Sequence, residues 1–188
     1  MNFTFEPLNI PDVILVKPKP FKDDRGFFLE SYKASAFKEG GVTDTFVQDN
    51  HSRSSRGILR GLHYQKEPRA QSKLVSVERR EILDVAVDIR KGSPTFGRWV
   101  SAHLSEDNHH QLFIPVGFAH GFYVLSEVAD VTYKISAEYD AAADRGIAWN
   151  DPAIGIDWGT EAPILSNKDK TQPSLNEADN NFSYQERL

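Results

Sequence analysis

From Gly57 to Ile135 the chain runs as short stretches of period two separated by turn signals, and this pattern constrains the fold most. Lys73 to Glu78 places Lys73, Val75 and Val77 on one side. Ile82 to Ile89 puts Leu83, Val85, Val87 and Ile89 on one face, with Asp84, Ala86 and Asp88 opposite. Trp99 to Leu104 alternates too, and Val128 to Ile135 aligns Ala129, Val131, Tyr133 and Ile135. Successive side chains of a strand point to opposite faces, so the pattern predicts strands. Arg79-Arg80, Lys91-Gly92-Ser93-Pro94, Ser105-Glu106-Asp107-Asn108 and Pro115-Val116-Gly117 supply the turns between them. Strands roughly ten residues apart predict an all-β jelly-roll sandwich or barrel. Short peripheral helices are expected at Ser35 to Lys38, closed by Gly40-Gly41, and as a single turn over Asp140 to Arg145. No repeat or Pro/Gly-rich linker divides the 188 residues. One domain over residues 1–188 is therefore expected, with a barrel core over about 20–155 and a C-terminal tail wrapping it.

Composition removes several function classes. The chain has no cysteine, which excludes disulfides, thiolate metal sites and cysteine nucleophiles. Its apolar runs are too short for a membrane span, and Met1-Asn2-Phe3-Thr4-Phe5-Glu6 carries no signal core, so a cytoplasmic protein is expected. Twenty-two Lys and Arg against 27 Asp and Glu leave a net charge of −5, without a basic stripe, which argues against nucleic acid. A small anionic ligand stays open, because a few local cations hold a phosphate.

Two segments concentrate chemistry: Leu59-Arg60-Gly61-Leu62-His63-Tyr64-Gln65 and Ile114-Pro115-Val116-Gly117-Phe118-Ala119-His120-Gly121-Phe122. The second has the Pro-x-Gly-x-x-His spacing that turns one strand into the next in cupin barrels. A metal-binding cupin would place a His-x-His pair and a glutamate in the first segment. Tyr64 and Gln65 replace those ligands poorly, so no metal is expected. By pattern alone the bland alternatives stand beside the chemical ones. His63 and His120 are equally well core histidines bonded to backbone, Lys73 a solvated strand lysine, and Tyr133 a core aromatic.

Asp24-Arg25-Gly26-Phe27-Phe28-Leu29-Glu30, Gln48-Asp49-Asn50-His51-Ser52, the His63 segment, Asp84-Val85-Ala86-Val87-Asp88-Ile89-Arg90 and Gly117-Phe118-Ala119-His120-Gly121 occur in one order. With Trp149-Asn150-Asp151-Pro152 and Ser166-Asn167-Lys168-Asp169, this series resembles the dTDP-4-dehydrorhamnose 3,5-epimerase family from Phe21 to Asp169. The resemblance implies a cupin jelly-roll barrel, a homodimer, no metal or organic cofactor, and a dTDP-sugar substrate. The reaction it implies removes protons at C3 and C5 of dTDP-4-dehydro-6-deoxy-D-glucose, beside the C4 ketone, and returns them on the opposite face.

His63 is then the base, a role suited to an imidazole of pKa ~6.5. Asp169 would orient it, with Asp84 as a rival. Lys73 would stabilise the enolate. Tyr133 would be the acid, with Tyr139 as its rival. Arg25, Arg60 and Lys168 would meet the diphosphate, and Phe27, with Phe28, would wall the base. Glu30, Gln48, Asn50, His120, Tyr139 and Asp144 complete the substrate contacts that the resemblance implies. Two departures stand out: Asp144 where the family commonly has glutamate, and Arg80 where a glycine often precedes Glu81. An enzyme acting at one carbon would share the base and acid. A non-catalytic nucleotide-sugar-binding cupin would need only the Arg, Gln and Asn frame.

Overall fold

A computed structural model describes residues 2–185. Among the described residues there are thirteen strands, and all paired strands run antiparallel. One sheet orders β1 (Phe3–Pro7), β2 (Ile14–Pro18), β10 (Gln111–Ile114), β7 (Lys73–Arg79), β12 (Val128–Ile135) and β5 (Gln48–Ser55). The other orders β13 (Asp144–Gly146), β6 (Leu59–Gln65), β11 (Phe118–Val124), β8 (Glu81–Asp88) and β9 (Trp99–Ser105). From β5 to β13 consecutive strands alternate between the two sheets except at the β8–β9 pair, which is the expected jelly roll. A small hairpin, β3 (Phe21–Asp23) with β4 (Gly26–Phe28), stands apart.

The four alternating stretches are strands β7, β8, β9 and β12. Between the sheets lie Val75, Val77, Ile82, Ala86, Leu104, Leu112, Phe118, Phe122, Ala129 and Val131. Each such side chain removed from water contributes ~1.5–3 kcal/mol for a full-sized aliphatic or Phe. The apolar face of β8 does not join this core. Leu83, Val85 and Val87 point the other way, onto Ile147, Ile154, Trp158, Leu175 and Phe182 of the following chain. The inward face of β8 therefore carries Asp84 among Ile82 and Ala86.

Helix α1 (Ala34–Glu39) covers part of the outer face of the six-stranded sheet through Phe37. Gly41, at φ +93°, closes it: the Val42 N–H donates to the Phe37 carbonyl and the Gly41 N–H to that of Lys38. This is the left-handed helix stop that glycine permits. The single helical turn expected over Asp140 to Arg145 is present at its start, where the Asp144 N–H donates to the Asp140 carbonyl at 3.0 Å, and the chain then extends as β13 to pair with β6. Arg80 lies in the turn expected between β7 and β8. It adopts φ +63° at a corner where the chain leaves the six-stranded sheet as β7 and enters the other as β8. Among the described residues no helix is long and apolar enough to cross a membrane.

One irregularity positions chemistry. His120 pairs with His63, but Phe122 pairs with Arg60, so β6 carries an extra residue between these pairs. The bulge turns both Arg60 and His63 towards one pocket, although three residues apart they would otherwise face opposite sides. Gly61, at φ +139°, makes it possible, since a Cβ there would lie 2.5 Å from the Gly121 Cα. Gly61→Ala is expected to destabilise the fold by roughly 2–3 kcal/mol, read by denaturant unfolding. An unchanged midpoint would mean that the two strands part there at no cost.

Candidate active site

Between the sheets lies a cleft of about 430 Å³, lined by Gln48, Asn50, His63, Lys73, Tyr133, Tyr139, Asp144 and Lys168, with Gln65 and Gln71. An adjoining pocket of about 130 Å³ shares His63, Lys73 and Tyr133 and adds Ser52, Arg60, His120 and Phe122. His63 stands on β6 of one sheet, whereas Lys73 and Tyr133 stand on β7 and β12 of the other. A ligand between them would present opposite faces to the imidazole and the phenol.

His63 Nε2 lies 2.5 Å from Asp169 Oδ1. The carboxylate accepts, so Nε2 carries the proton and Nδ1 keeps the free lone pair. Asp169 is 4% exposed. It is held from the other side by the Ser166 hydroxyl, which donates to Oδ2 at 2.8 Å. Burial by itself would raise the Asp169 carboxyl, but the bonds from His63 and Ser166 and the nearby Lys168 charge hold it below its ordinary range. Asp84, the rival, instead accepts from His120 Nε2 at 2.7 Å. Burial pushes the His120 imidazole down, against the pull of Asp84, so it stays neutral.

Lys73 is 9% exposed, and burial lowers its ammonium from 10.5 to about 8. Asp84 and Asp144 attract its charge and Lys168 opposes it. Tyr133 is raised by burial, with Arg60 opposing, and so keeps its proton at neutral pH. Tyr139 is 59% exposed and sits at the rim, its hydroxyl donating to Asp144 Oδ2 at 3.2 Å.

The remaining expected site residues divide into two groups. Gln48 and Asn50 lie in the cleft and are bonded to each other at 2.8 Å, and Gln48 Oε1 also accepts from the Tyr139 N–H. Arg60 Nε donates to Ser54 Oγ at 2.9 Å. Lys168 pairs with Asp144. Arg25, Phe27 and Glu30 are not brought to the cleft of their own chain. The Arg25 side chain is 90% exposed and pairs with Asp23, Phe27 lies tilted against His109 with ring centroids 4.7 Å apart, and Glu30 accepts from Asn2.

Sequence reasoning missed Gln65, Gln71 and Ser166. Gln65 donates to the Arg69 and Glu138 carbonyls and accepts from the Asp140 N–H, while Gln71 donates to the Ala137 carbonyl. Together they pin the loop that bears Tyr139. The one available signal was period two, which places Gln65 on the side of His63. Among the described residues, no group of three or more His, Asp or Glu converges to hold a metal ion.

A family model described as dTDP-4-dehydrorhamnose 3,5-epimerase matches residues 7–177. The chain is 55% identical over 174 residues to the dTDP-4-dehydrorhamnose 3,5-epimerase of Pseudomonas aeruginosa, covering 92% of this chain and 96% of that protein. It is 38% identical to the dTDP-4-dehydrorhamnose 3-epimerase of Streptomyces niveus, over 92% of this chain and 84% of that one. Among solved structures, dTDP-6-deoxy-D-glucose-3,5-epimerase from Legionella pneumophila, in complex with dTDP-4-keto-L-rhamnose, superposes with a TM-score of 0.93. That match has 46% identity and covers 98% of this chain and 100% of the other.

Proposed function

The chain belongs to the dTDP-4-dehydrorhamnose 3,5-epimerase family, and on that premise we propose how its own side chains carry the reaction. The activity is an isomerisation in dTDP-rhamnose biosynthesis, the inversion of C3 and C5 of dTDP-4-dehydro-6-deoxy-D-glucose to give dTDP-4-dehydro-L-rhamnose. Both carbons flank the C4 ketone, so loss of either proton yields an enolate.

In our reading His63 Nδ1 takes the proton, while Asp169 fixes the tautomer and balances the imidazolium charge. The Lys73 ammonium receives the negative charge on O4, where low polarity strengthens it. Tyr133 returns a proton from the opposite sheet. Solvent then removes the proton from His63 and restores the one on Tyr133, so each inversion is neutral overall. Arg60, Gln48, Asn50 and His120 would hold the sugar and its diphosphate. The observation that carries this reading is the placement of an Asp-bound imidazole and a half-buried phenol on facing sheets, with a buried lysine lining the same two cavities.

We also propose a homodimer. The hairpin carrying Arg25 and Phe27 leaves Phe21, Phe27 and Phe28 exposed, which suits a surface covered by a second copy. In that arrangement Arg25, Phe27 and Glu30 would serve the partner's cleft.

The test is proton NMR of dTDP-4-dehydro-6-deoxy-D-glucose in deuterated water. Deuterium entering at both C3 and C5, with formation of the L-rhamno product, supports the assignment. Tyr133→Phe is expected to keep the exchange and lose inversion, because His63 still removes and returns protons on its own face. If Tyr133→Phe inverts at the parental rate, the acid is elsewhere.

A further inference from the structure

The chain that follows Asp169 runs beside β13, where the Ala148 N–H donates to the Pro173 carbonyl at 2.8 Å. From Asp179 to Tyr184 it then crosses one end of the five-stranded sheet. β6 and β8 run in the same direction, each antiparallel to β11 between them, so their Gln65 and Asp88 ends lie at that same end. The family model ends at residue 177, so this last segment lies past the stretch it matches.

One anchor holds β6 and β13. The Tyr64 hydroxyl donates to the Asp179 carbonyl at 3.0 Å, and the Asp179 carboxylate accepts from Lys66 at 2.5 Å and from Arg145 at 2.9 Å. Asn181 closes on Glu67 in both directions, accepting from its N–H at 3.2 Å and donating to its carbonyl at 3.1 Å. A second anchor holds the chain leaving β8. The Asn180 amide donates to the Ile89 carbonyl, the Lys91 N–H to the Phe182 carbonyl and the Tyr184 N–H to the Lys91 carbonyl, while the Arg90 guanidinium lies over the Tyr184 ring at 5.1 Å. Tyr64 and Phe182 are both buried, with ring centroids 6.1 Å apart. Burial and the Asp179 charge push the Tyr64 phenol up to about 12, against Arg145, so its hydroxyl keeps the proton it donates.

β6 needs this support where it carries the base. Its register with β11 ends at the His63–His120 pair, and the bulge interrupts it just before. Among the described residues, the strand beyond His63 is paired only by β13, an edge of three residues. Tyr64 follows His63 and alternation turns it to the opposite face, so what fixes Tyr64 from behind also fixes the backbone from which His63 enters the cleft.

We propose that residues 179–184 form a strap that seats the end of β6 and so holds His63 on Asp169, with Tyr64 and Asp179 as positioning residues for the base. This role rests on the assignment of His63 made above. The strap grips through side chains that take no part in the substrate contacts, so it acts on the chemical step rather than on nucleotide binding. A shift of His63 by about 1 Å would lengthen its 2.5 Å bond to Asp169, and displacements of that size cost up to about 100-fold in rate.

The experiment uses the full chain with Tyr64→Phe, with the double variant Asp179→Ala/Asn181→Ala, and with Leu104→Ala, a core substitution on β9 away from the strap. Each is measured below its melting temperature for kcat and KM on dTDP-4-dehydro-6-deoxy-D-glucose, and amide hydrogen exchange of residues 62–66 is read without substrate. Tyr64→Phe is expected to lower kcat about 3–10-fold and the double variant about 10–100-fold, with KM within about threefold. Both are expected to speed exchange in that stretch by about tenfold or more. Leu104→Ala is expected to lose stability to its cavity and yet keep kcat within about threefold. An equal loss of kcat in Leu104→Ala would mean that any loosening of the fold suffices, and the strap would have no special role. The proposal is also overturned if the strap variants keep the parental kcat and exchange, or if KM rises about tenfold while kcat holds. Exchange is read without turnover, so a fully active His63→Ala would overturn the base assignment and still leave the strap tested.

Discussion

Exchange at both C3 and C5 is expected to fall by about 10²–10⁴-fold in His63→Ala, the range that a positioned general base supplies. The loss should appear at both carbons, because a single imidazole lines the cleft from the β6 side: His120 Nε2 is committed to Asp84 and its ring is held neutral and buried. Asp169→Asn provides the sharper control. An amide in that place can turn its NH2 towards the ring and select the other tautomer, which leaves Nδ1 without its lone pair, and comparable dyads lose ~10⁴-fold by this route. Both variants should retain the parental affinity for dTDP, because neither side chain is needed to hold the nucleotide. Exchange at one carbon surviving in His63→Ala would require a second base. The pairing of Asp169 also has a pH signature. Its carboxyl is held below the ordinary range, so its contribution to stability is present above the unfolded value of ~3.9 and is lost as pH falls through the lower folded value.

Lys73→Met is expected to stabilise the protein while removing most of its turnover. The unfolded amine titrates near 10.5 and the folded one at about 8, with burial as the main cause. Between those values the unfolded chain binds the extra proton, so stability rises with pH across that window and is lowest below pH 8. At pH 7 the buried cation therefore costs up to about 3 kcal/mol, which an apolar side chain of similar length would recover. For a chain of this size that is a gain in Tm of roughly 6–12 °C. Turnover should fall by about 10²–10³-fold, the usual cost of removing one oxyanion donor. In the parent protein kcat should decline as pH rises through about 8, where Lys73 loses its charge, and this limb should be absent in the variant. A variant that melts at or below the parental temperature would mean that the ammonium is paid for by contacts in the fold and is not held for catalysis.

Much of this architecture was legible because period two is a local property. β7, β8, β9 and β12 begin and end within a residue or so of the alternation that announces them. The motif order also pointed to His63, Lys73, Tyr133 and Asp169 together, and these are residues that the fold brings to one place or into direct contact. Other features resisted. Alternation shows which residues share a face but not which face looks inward, and β8 is buried on both sides, so the inward position of Asp84 could not be read from it. The bulge that turns Arg60 and His63 the same way left only Gly61 as a trace.

The chain's own pattern of residues thus determined that it would form strands, where they would turn, and which side chains were chemically able to act. Which carboxylate would bond to His63 was decided by the tertiary structure. Asp169 is 106 residues from His63 and reaches it only because the C-terminal segment packs along β13, whereas Asp84, far nearer in sequence, is turned by β8 towards His120. Period and propensity act over a few residues. The pairing of a base with its partner depends on how distant strands stack, and that is set by burying the outer face of the five-stranded sheet beneath Ile154, Trp158 and Leu175.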